Sequence, residues 1–306
     1  MVRLVFAWES QNLKVRQWIK VGSDVANLST TAQRRGDVFF VNGVKRWVTN
    51  GMFADYCTAA VRTGGEGRTG ISLLIIPLDL PGVTRSKIHS SGVASSGTAA
   101  LEFLNVEVPV ENLVGEENTG FSILMKSRWI IPLTGLGATE LITCEGFDHH
   151  RMWIAGNCIR LARVCLEDAF QHALTRHTFG KPLIDRQAIR LKLANLGAQI
   201  MSSYALLESL VAVQHGSSIY SPHGHTSMGG LCAVVKVSAA RAFELAVRES
   251  QQIMGALGYT RTGPGCRVER LSRDMRVLVI GGGSEEILSE LSILQERKDL
   301  ERCKAC

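Results

Sequence analysis

No run of apolar residues in this chain approaches the roughly 18 needed to cross a bilayer, although 45% of its 306 residues are hydrophobic. Nor does it open like a signal peptide. Residues 1–20 carry Glu9, Arg3, Lys14, Arg16 and Lys20, with no hydrophobic core segment and no small-residue cleavage site; a basic amphipathic mitochondrial leader is the only targeting reading left to them. A disulfide framework is also missing: Cys57, Cys144, Cys158, Cys165, Cys232, Cys266, Cys303 and Cys306 are scattered, which points to an intracellular protein. Mitochondrial, peroxisomal and cytosolic placement stay open. Cys303 and Cys306 form a terminal C-x-x-C with no second ligand pair and read as tail, whereas Cys158 and Cys165, a heptad apart, read as core. No block of like charge accompanies the net +6 and pI near 9.0, so no nucleic-acid partner is expected, and the mild positive field suits solubility before it suits a polyanionic ligand. His215, His223 and His225 lie in or beside the Ser/Gly/Pro loop of residues 216–230 without a carboxylate at ligand spacing, so no metal site is expected. There is no internal repeat.

What is present divides into two patterns. Over residues 37–110 short apolar runs alternate with glycine turns: Val38-Phe39-Phe40-Val41 before Asn42-Gly43, a run at 56–62, another at 71–78 closed by Pro81-Gly82, and a fourth at 99–108. Such spacing without intervening helices predicts an antiparallel β-barrel or sandwich. After Pro109 the period lengthens. Ile154, Cys158, Leu161, Cys165 and Ala169 recur at helical steps, as do Ile189, Leu193, Leu196, Ile200, Tyr204, Leu207 and Val211. Val234, Val237, Phe243 and Val247 mark a third helix, and residues 285–296 begin a fourth. The expected class is α+β, a β-barrel or sandwich domain followed by an up-down four-helix bundle, with an atypical segment at 1–21, a β domain at 22–114 and a helical domain at 115–306 interrupted by an insertion at 122–146.

Several separated segments carry chemistry. Arg176-His177-Thr178-Phe179-Gly180-Lys181 closes a long helix with a cation, a hydroxyl and a glycine turn, a combination suited to an anionic group; Arg176 equally suits a helix C-terminus. Lys45-Arg46-Trp47-Val48-Thr49-Asn50-Gly51 ends a β hairpin. Gln252-Ile253-Met254-Gly255-Ala256-Leu257-Gly258-Tyr259 offers bare backbone, followed by Arg273-Asp274 and by Gly281-Gly282-Gly283-Ser284-Glu285-Glu286.

Taken in chain order, from Gly22 to about Glu290, these segments resemble the acyl-CoA dehydrogenase family of flavoproteins. The resemblance implies FAD as cofactor and α,β-dehydrogenation of an acyl-CoA thioester, in which the α-proton is lost to a base and the β-hydrogen leaves as hydride to the flavin. It implies that Trp47 and Thr49 stand beside the flavin ring, that Arg176, Thr178 and Phe179 reach the pyrophosphate and adenosine of a neighbouring subunit's FAD, that Gln252, Gly255 and Gly258 form a second cofactor wall, and that Ser284 and Glu286 meet the adenosine half. On the substrate side Phe147, Asp148 and Arg151 resemble the acyl and CoA channel, and Ser23 the serine near the thioester. Implied partners are an electron acceptor, either an electron-transfer flavoprotein or oxygen, and further copies in a homodimer or homotetramer.

The resemblance breaks at the base. The family takes the α-proton with a glutamate at one of two positions, which here read Gly282 and His150; His150 is the remaining candidate, its unperturbed pKa of about 6.5 leaving it largely neutral at pH 7. Residues 1–21 do not match the helical domain with which the family opens, and 122–146 is longer than its counterpart, which together suggest an imperfect gene model that transcript sequencing would test. Two other readings follow: a non-catalytic relative acting as an oligomerisation or partner-binding scaffold, and a flavoprotein that uses oxygen with His150 as base.

Overall fold

The computed structural model describes residues 4–7, 25–125, 128–132, 141–145, 147–214 and 228–305. Ser23, the three loop histidines and Cys306 therefore lie outside the described residues, as does the side chain of Cys303. The chain falls into two compact units, one made of Met1–Ser90 with Ala94–Gly146 and the other of Ser91–Val93 with Phe147–Cys306.

The first unit contains β1 (Leu4–Ala7), β2 (Thr31–Arg35), β3 (Val38–Val48), β4 (Tyr56–Arg62), β5 (Ile71–Pro77), β6 (Val83–Lys87), β7 (Ala99–Pro109) and β8 (Leu113–Val114) in a sheet of order β6-β7-β3-β2-β4-β5-β8. Its pairings are mainly antiparallel, but β1 runs parallel to β4, and β2 meets β4 in parallel at Thr31 and Arg62. The sheet is thus mixed, and among the described residues its two end strands do not pair to close a barrel. Strands β4 and β5 are apolar on both faces because both are covered. Cys57, Ala59, Val61, Leu74 and Ile76 join one core, while Ala60, Ile71, Leu73 and Ile75 join another with Leu28, Val114 and Ile123. Ile123 sits on the short helix α1 (Gly120–Met125), so the start of the expected insertion is packed into this core. The remainder includes an antiparallel ribbon of β9 (Arg128–Pro132) and β10 (Leu141–Glu145).

One sequence expectation is corrected here. Asn42-Gly43 is not a hairpin turn: β3 runs through it, and the chain reverses at Gly36, whose φ is 62°. Position 43 needs glycine for a different reason, since a Cβ there would lie 2.8 Å from the Cα of Thr30; the register of β3 on β7 slips beside it, as expected where backbone approaches backbone at a bulge.

The second unit is helical: α2 (Phe147–Thr175), α3 (Gln187–Gln214), α4 (Met228–Met254), α5 (Cys266–Ile280) and α6 (Glu285–Ala305), with a small hairpin of β11 (His177–Thr178) and β12 (Lys181–Pro182) between α2 and α3. Helix α4 packs against the other four. It does so by presenting small residues all round, Ala233, Ala239, Ala240, Ala242 and Ala246, with Phe243 fully enclosed among them. The bundle therefore has a fifth helix, α5, beyond the four expected. Cys158 and Cys165 are buried in this core as the sequence suggested, and burial pushes both thiols up to about 12, which leaves them unreactive. Helix α3 qualifies the reading of the chain as free of spanning segments: an 18-residue window has a mean hydropathy of 1.4, enough by length and composition to cross a membrane, and only 22% of that window is buried. Leu191, Met201 and Val211 on it are exposed.

Candidate functional site

In the first unit the site residues sit on a bulge. Lys45 pairs with Leu101 and Val48 with Ala99, three steps along β3 against two along β7, so one extra residue is accommodated. The extra residue shifts the alternation of faces. Val44, Lys45 and Val48 are buried while Trp47 is 53% exposed. Trp47 adopts a φ of 60°, a conformation that costs a non-glycine residue about 1–3 kcal/mol and is usually retained where a side chain must be aimed. Thr49, also exposed, leads into a tight turn in which the Asn50 amide donates to the Ser96 carbonyl at 2.7 Å and the Asn50 carbonyl accepts from the amides of Phe53 and Ala54. An aromatic face and a hydroxyl are thereby held on a rigid strand end. Inside the unit the Lys45 ammonium, wholly enclosed, donates to the Ala60 carbonyl at 2.6 Å.

The second unit holds the other candidates in three places. After α2, Thr178 and Lys181 face one another across a two-residue turn in which Phe179 and Gly180 have φ of 49° and 76°. Such a turn demands positive φ at both central positions and favours Asn-Gly. Phenylalanine at its first position is strained, and Phe179 is 96% exposed. Arg186 braces the tip, its Nη2 donating to the Thr178 carbonyl at 2.6 Å while the guanidinium lies 5.6 Å from the Phe179 ring centre. The Arg176 side chain is exposed. Its charge acts on His172, whose pKa is pushed below the ordinary 6.5, first by burial and then by Arg176. A folded value lower than the unfolded one means stability present above about pH 6.5 and lost as pH falls through the folded value. Thermal melts between about pH 7.5 and pH 5 should show Tm falling on the acid side, and His172→Gln should flatten part of that slope.

The second place is a cavity of about 500 Å³ formed by the end of α4, the turn after it and α5, lined by Arg248, Gln252, Gly255, Gly258, Tyr259 and Ser272 among others. Gly255 has a φ of 59°, and a side chain there would meet nothing within 4 Å, so bare backbone borders open space. Gln251 is committed elsewhere, its Nε2 donating to the Gly258 carbonyl at 3.1 Å.

The third place joins the start of α2 to the loop between α5 and α6. A Cβ added at Gly282 would lie 3.8 Å from Nδ1 of His150 and 2.8 Å from Cδ1 of Ile154. The two positions that the sequence singles out for the base thus converge on one point. Around it, Arg151 does not reach outward: its Nε donates to the Gly282 carbonyl at 3.2 Å, its Nη1 to Asp148 at 3.0 Å, and its guanidinium lies 5.8 Å from the Phe147 ring centre. Phe147, Asp148 and Arg151 are in this way partnered with one another. Beyond the loop, the backbone of Glu286 and then Ser284 bond the Glu286 carboxylate and hold its pKa below the usual carboxylate value, while Glu285 pairs with Arg241. With two acidic side chains in its first turn, the α6 terminus suits a hydroxyl or amino donor rather than a phosphate. Sequence reading missed Lys236, a fully buried cation on α4 whose only signal was a charge among apolar residues at core spacing.

Comparison with known proteins identifies the pairing of these two units. The family model for the acyl-CoA dehydrogenase middle domain matches residues 19–106, and that for the C-terminal domain matches residues 141–297. The chain belongs to the acyl-CoA dehydrogenase family. It is 67% identical over 287 residues to the acyl-CoA dehydrogenase AFT10-1 of Alternaria alternata, covering 94% of this chain and 62% of that one. It is 37% identical to the acyl-CoA dehydrogenase apdG of Emericella nidulans, covering 90% and 58%. A crystal structure of an acyl-CoA dehydrogenase from Geobacillus kaustophilus superposes with a TM-score of 0.80 at 26% identity, covering 96% of this chain and 68% of that one. The chain therefore spans about three-fifths of the length of the curated relatives it matches.

Proposed function

We propose that this chain binds FAD and removes the α- and β-hydrogens of an acyl-CoA thioester, with His150 as the base. The observation that carries the reading is the convergence of position 282 and His150 on one point, since a base for the α-carbon belongs there and only His150 has a side chain able to serve. The donor set fits the cofactor piece by piece. An exposed indole and the Thr49 hydroxyl suit a flavin ring and its polar edge. The glycine-bordered cavity with Arg248 and Gln252 suits a dinucleotide's phosphates, and Ser284 with Glu286 suits adenosine donors. FAD, when bound, supplies the acceptor for the β-hydrogen. The chain's own part is to orient the ester, exclude water and take the α-proton on a ring nitrogen of His150; Nδ1 lies within 4 Å of the place a residue 282 side chain would begin.

Two exposed apolar features support assembly into a homodimer or homotetramer: the strained Phe179 tip, which would reach a neighbour's cofactor beside Arg176 and Thr178, and the exposed apolar residues of α3. Electrons would pass to an electron-transfer flavoprotein or to oxygen. The competing scaffold reading is favoured by one observation, that neither base position carries a carboxylate. Purified full chain should be yellow with about one flavin per chain and should bleach anaerobically with at least one acyl-CoA ester. Colourless protein that FAD does not reconstitute would establish the scaffold instead, and yellow protein that no ester bleaches would remove the dehydrogenase.

A further inference from the structure

Lys236 is the least economical residue in the bundle. Its side chain is completely buried on α4, where a bare ammonium costs several kcal/mol unless it is fully hydrogen-bonded. No carboxylate oxygen meets it in a salt bridge among the described residues; it donates to two backbone carbonyls, that of Val279 in the last turn of α5 and that of Gly283 at 2.8 Å. Burial lowers its pKa from the ordinary lysine value. Glycine closure alone usually satisfies a helix C-terminus without a buried charge, and it is already there: the Gly281 amide donates to the Val277 carbonyl at 2.7 Å and Gly282 takes a φ of 70°. What Lys236 adds is a bond on each side of Gly281-Gly282. Arg151 takes the intervening Gly282 carbonyl. Because a trans peptide directs its N–H opposite its C=O, drawing these carbonyls inward fixes which way the Gly283 and Ser284 amides point. A three-glycine loop gains most from such restraint, since its residues carry the largest backbone entropy of any.

We propose that Lys236 is a positioning residue: by gripping the carbonyls of Val279 and Gly283 it sets the 281–284 loop against His150, and so fixes the wall of the reaction site from inside the bundle. The proposal rests on the dehydrogenase reading for its kinetic consequence but not for its structural one. The test uses the full FAD-loaded chain with Lys236→Met, of similar length and without charge, and Lys236→Gln, which keeps a donor for one carbonyl. In Lys236→Met, amide hydrogen exchange should quicken in 281–288 while α2 and the rest of α4 keep their protection, and the rate of flavin reduction at saturating ester should fall on the order of 10- to 100-fold, with the ester concentration giving half-maximal rate little changed. Lys236→Gln should fall between. Unchanged exchange in 281–288 overturns the proposal, as does a full maximal rate in a folded variant. Collapse of both variants also overturns it, because a residue that the whole bundle requires is not specific to the loop. If wild-type protein reduces no flavin with any ester, the dehydrogenase reading fails alone and the exchange measurement still decides the role of Lys236.

Discussion

Substituting alanine for His150 is expected to slow the reduction of bound flavin by acyl-CoA by about 10²- to 10⁴-fold, the span over which a positioned general base contributes. Flavin content should not change, because His150 sits at the start of α2 beside Phe147, Asp148 and Arg151 and does not line the glycine-walled cavity. The informative companion is Gly282→Glu in the same background. The new Cβ would begin 3.8 Å from where Nδ1 stood, so a carboxylate from position 282 reaches the space the imidazole vacates. Two penalties oppose it: a φ of 70°, costing about 1–3 kcal/mol for a residue with a side chain, and a contact of 2.8 Å with Cδ1 of Ile154, which must move aside. Recovery of a substantial part of the lost rate would show that the two positions serve one function. Single-turnover reduction under nitrogen reads both variants, and an His150→Ala protein with wild-type rate would remove histidine from the mechanism.

The second large effect concerns stability. Phe243 lies at the centre of α4, wholly enclosed among residues of α2, α3 and α5, and truncating it to alanine leaves a cavity that alanine-rich surroundings close poorly. Phe243→Ala should cost about 3–5 kcal/mol, which for a unit of this size lowers Tm by roughly 2–4 °C per kcal/mol. Calorimetry of the full chain should show the loss; a change under about 1 kcal/mol would mean that the bundle repacks around the gap.

How much of this was legible beforehand depends on whether the signal was periodic or positional. The long helices were readable because Ile154, Cys158 and Cys165, or Leu193, Leu196 and Ile200, repeat at the helical step and do face the core. Helix α5 was harder, since four arginines between Cys266 and Ile280 mask the repeat of Val268, Leu271, Met275 and Leu278. Strands were readable as runs, but their pairing was not: the parallel neighbours of β4 and the open ends of the sheet are long-range facts that no local pattern encodes. Asn42-Gly43 misled because the strongest local hairpin signal also describes a glycine demanded by Thr30 across the fold. At the site, residue types were visible while their commitments were not. Arg151 reads as a substrate cation until its bonds to Asp148 and the Gly282 carbonyl are known, and Lys236 looks like an ordinary surface charge until α4 is surrounded.

The one-residue bulge between Lys45 and Val48 carries a consequence for how such a protein is gained or lost over time. Because sidedness along a strand has a period of two, a single deletion there would set Lys45 and Val48 two steps apart on one buried face, matched to Leu101 and Ala99 without a bulge, and would remove the positive-φ step at Trp47 that aims the indole. Point changes at Trp47 would erode the aromatic platform gradually. Removing one codon would abolish it at a stroke while leaving the composition almost untouched, so among descendants of this gene the length of that interval, more than the letters in it, records whether a flat ring can still be received.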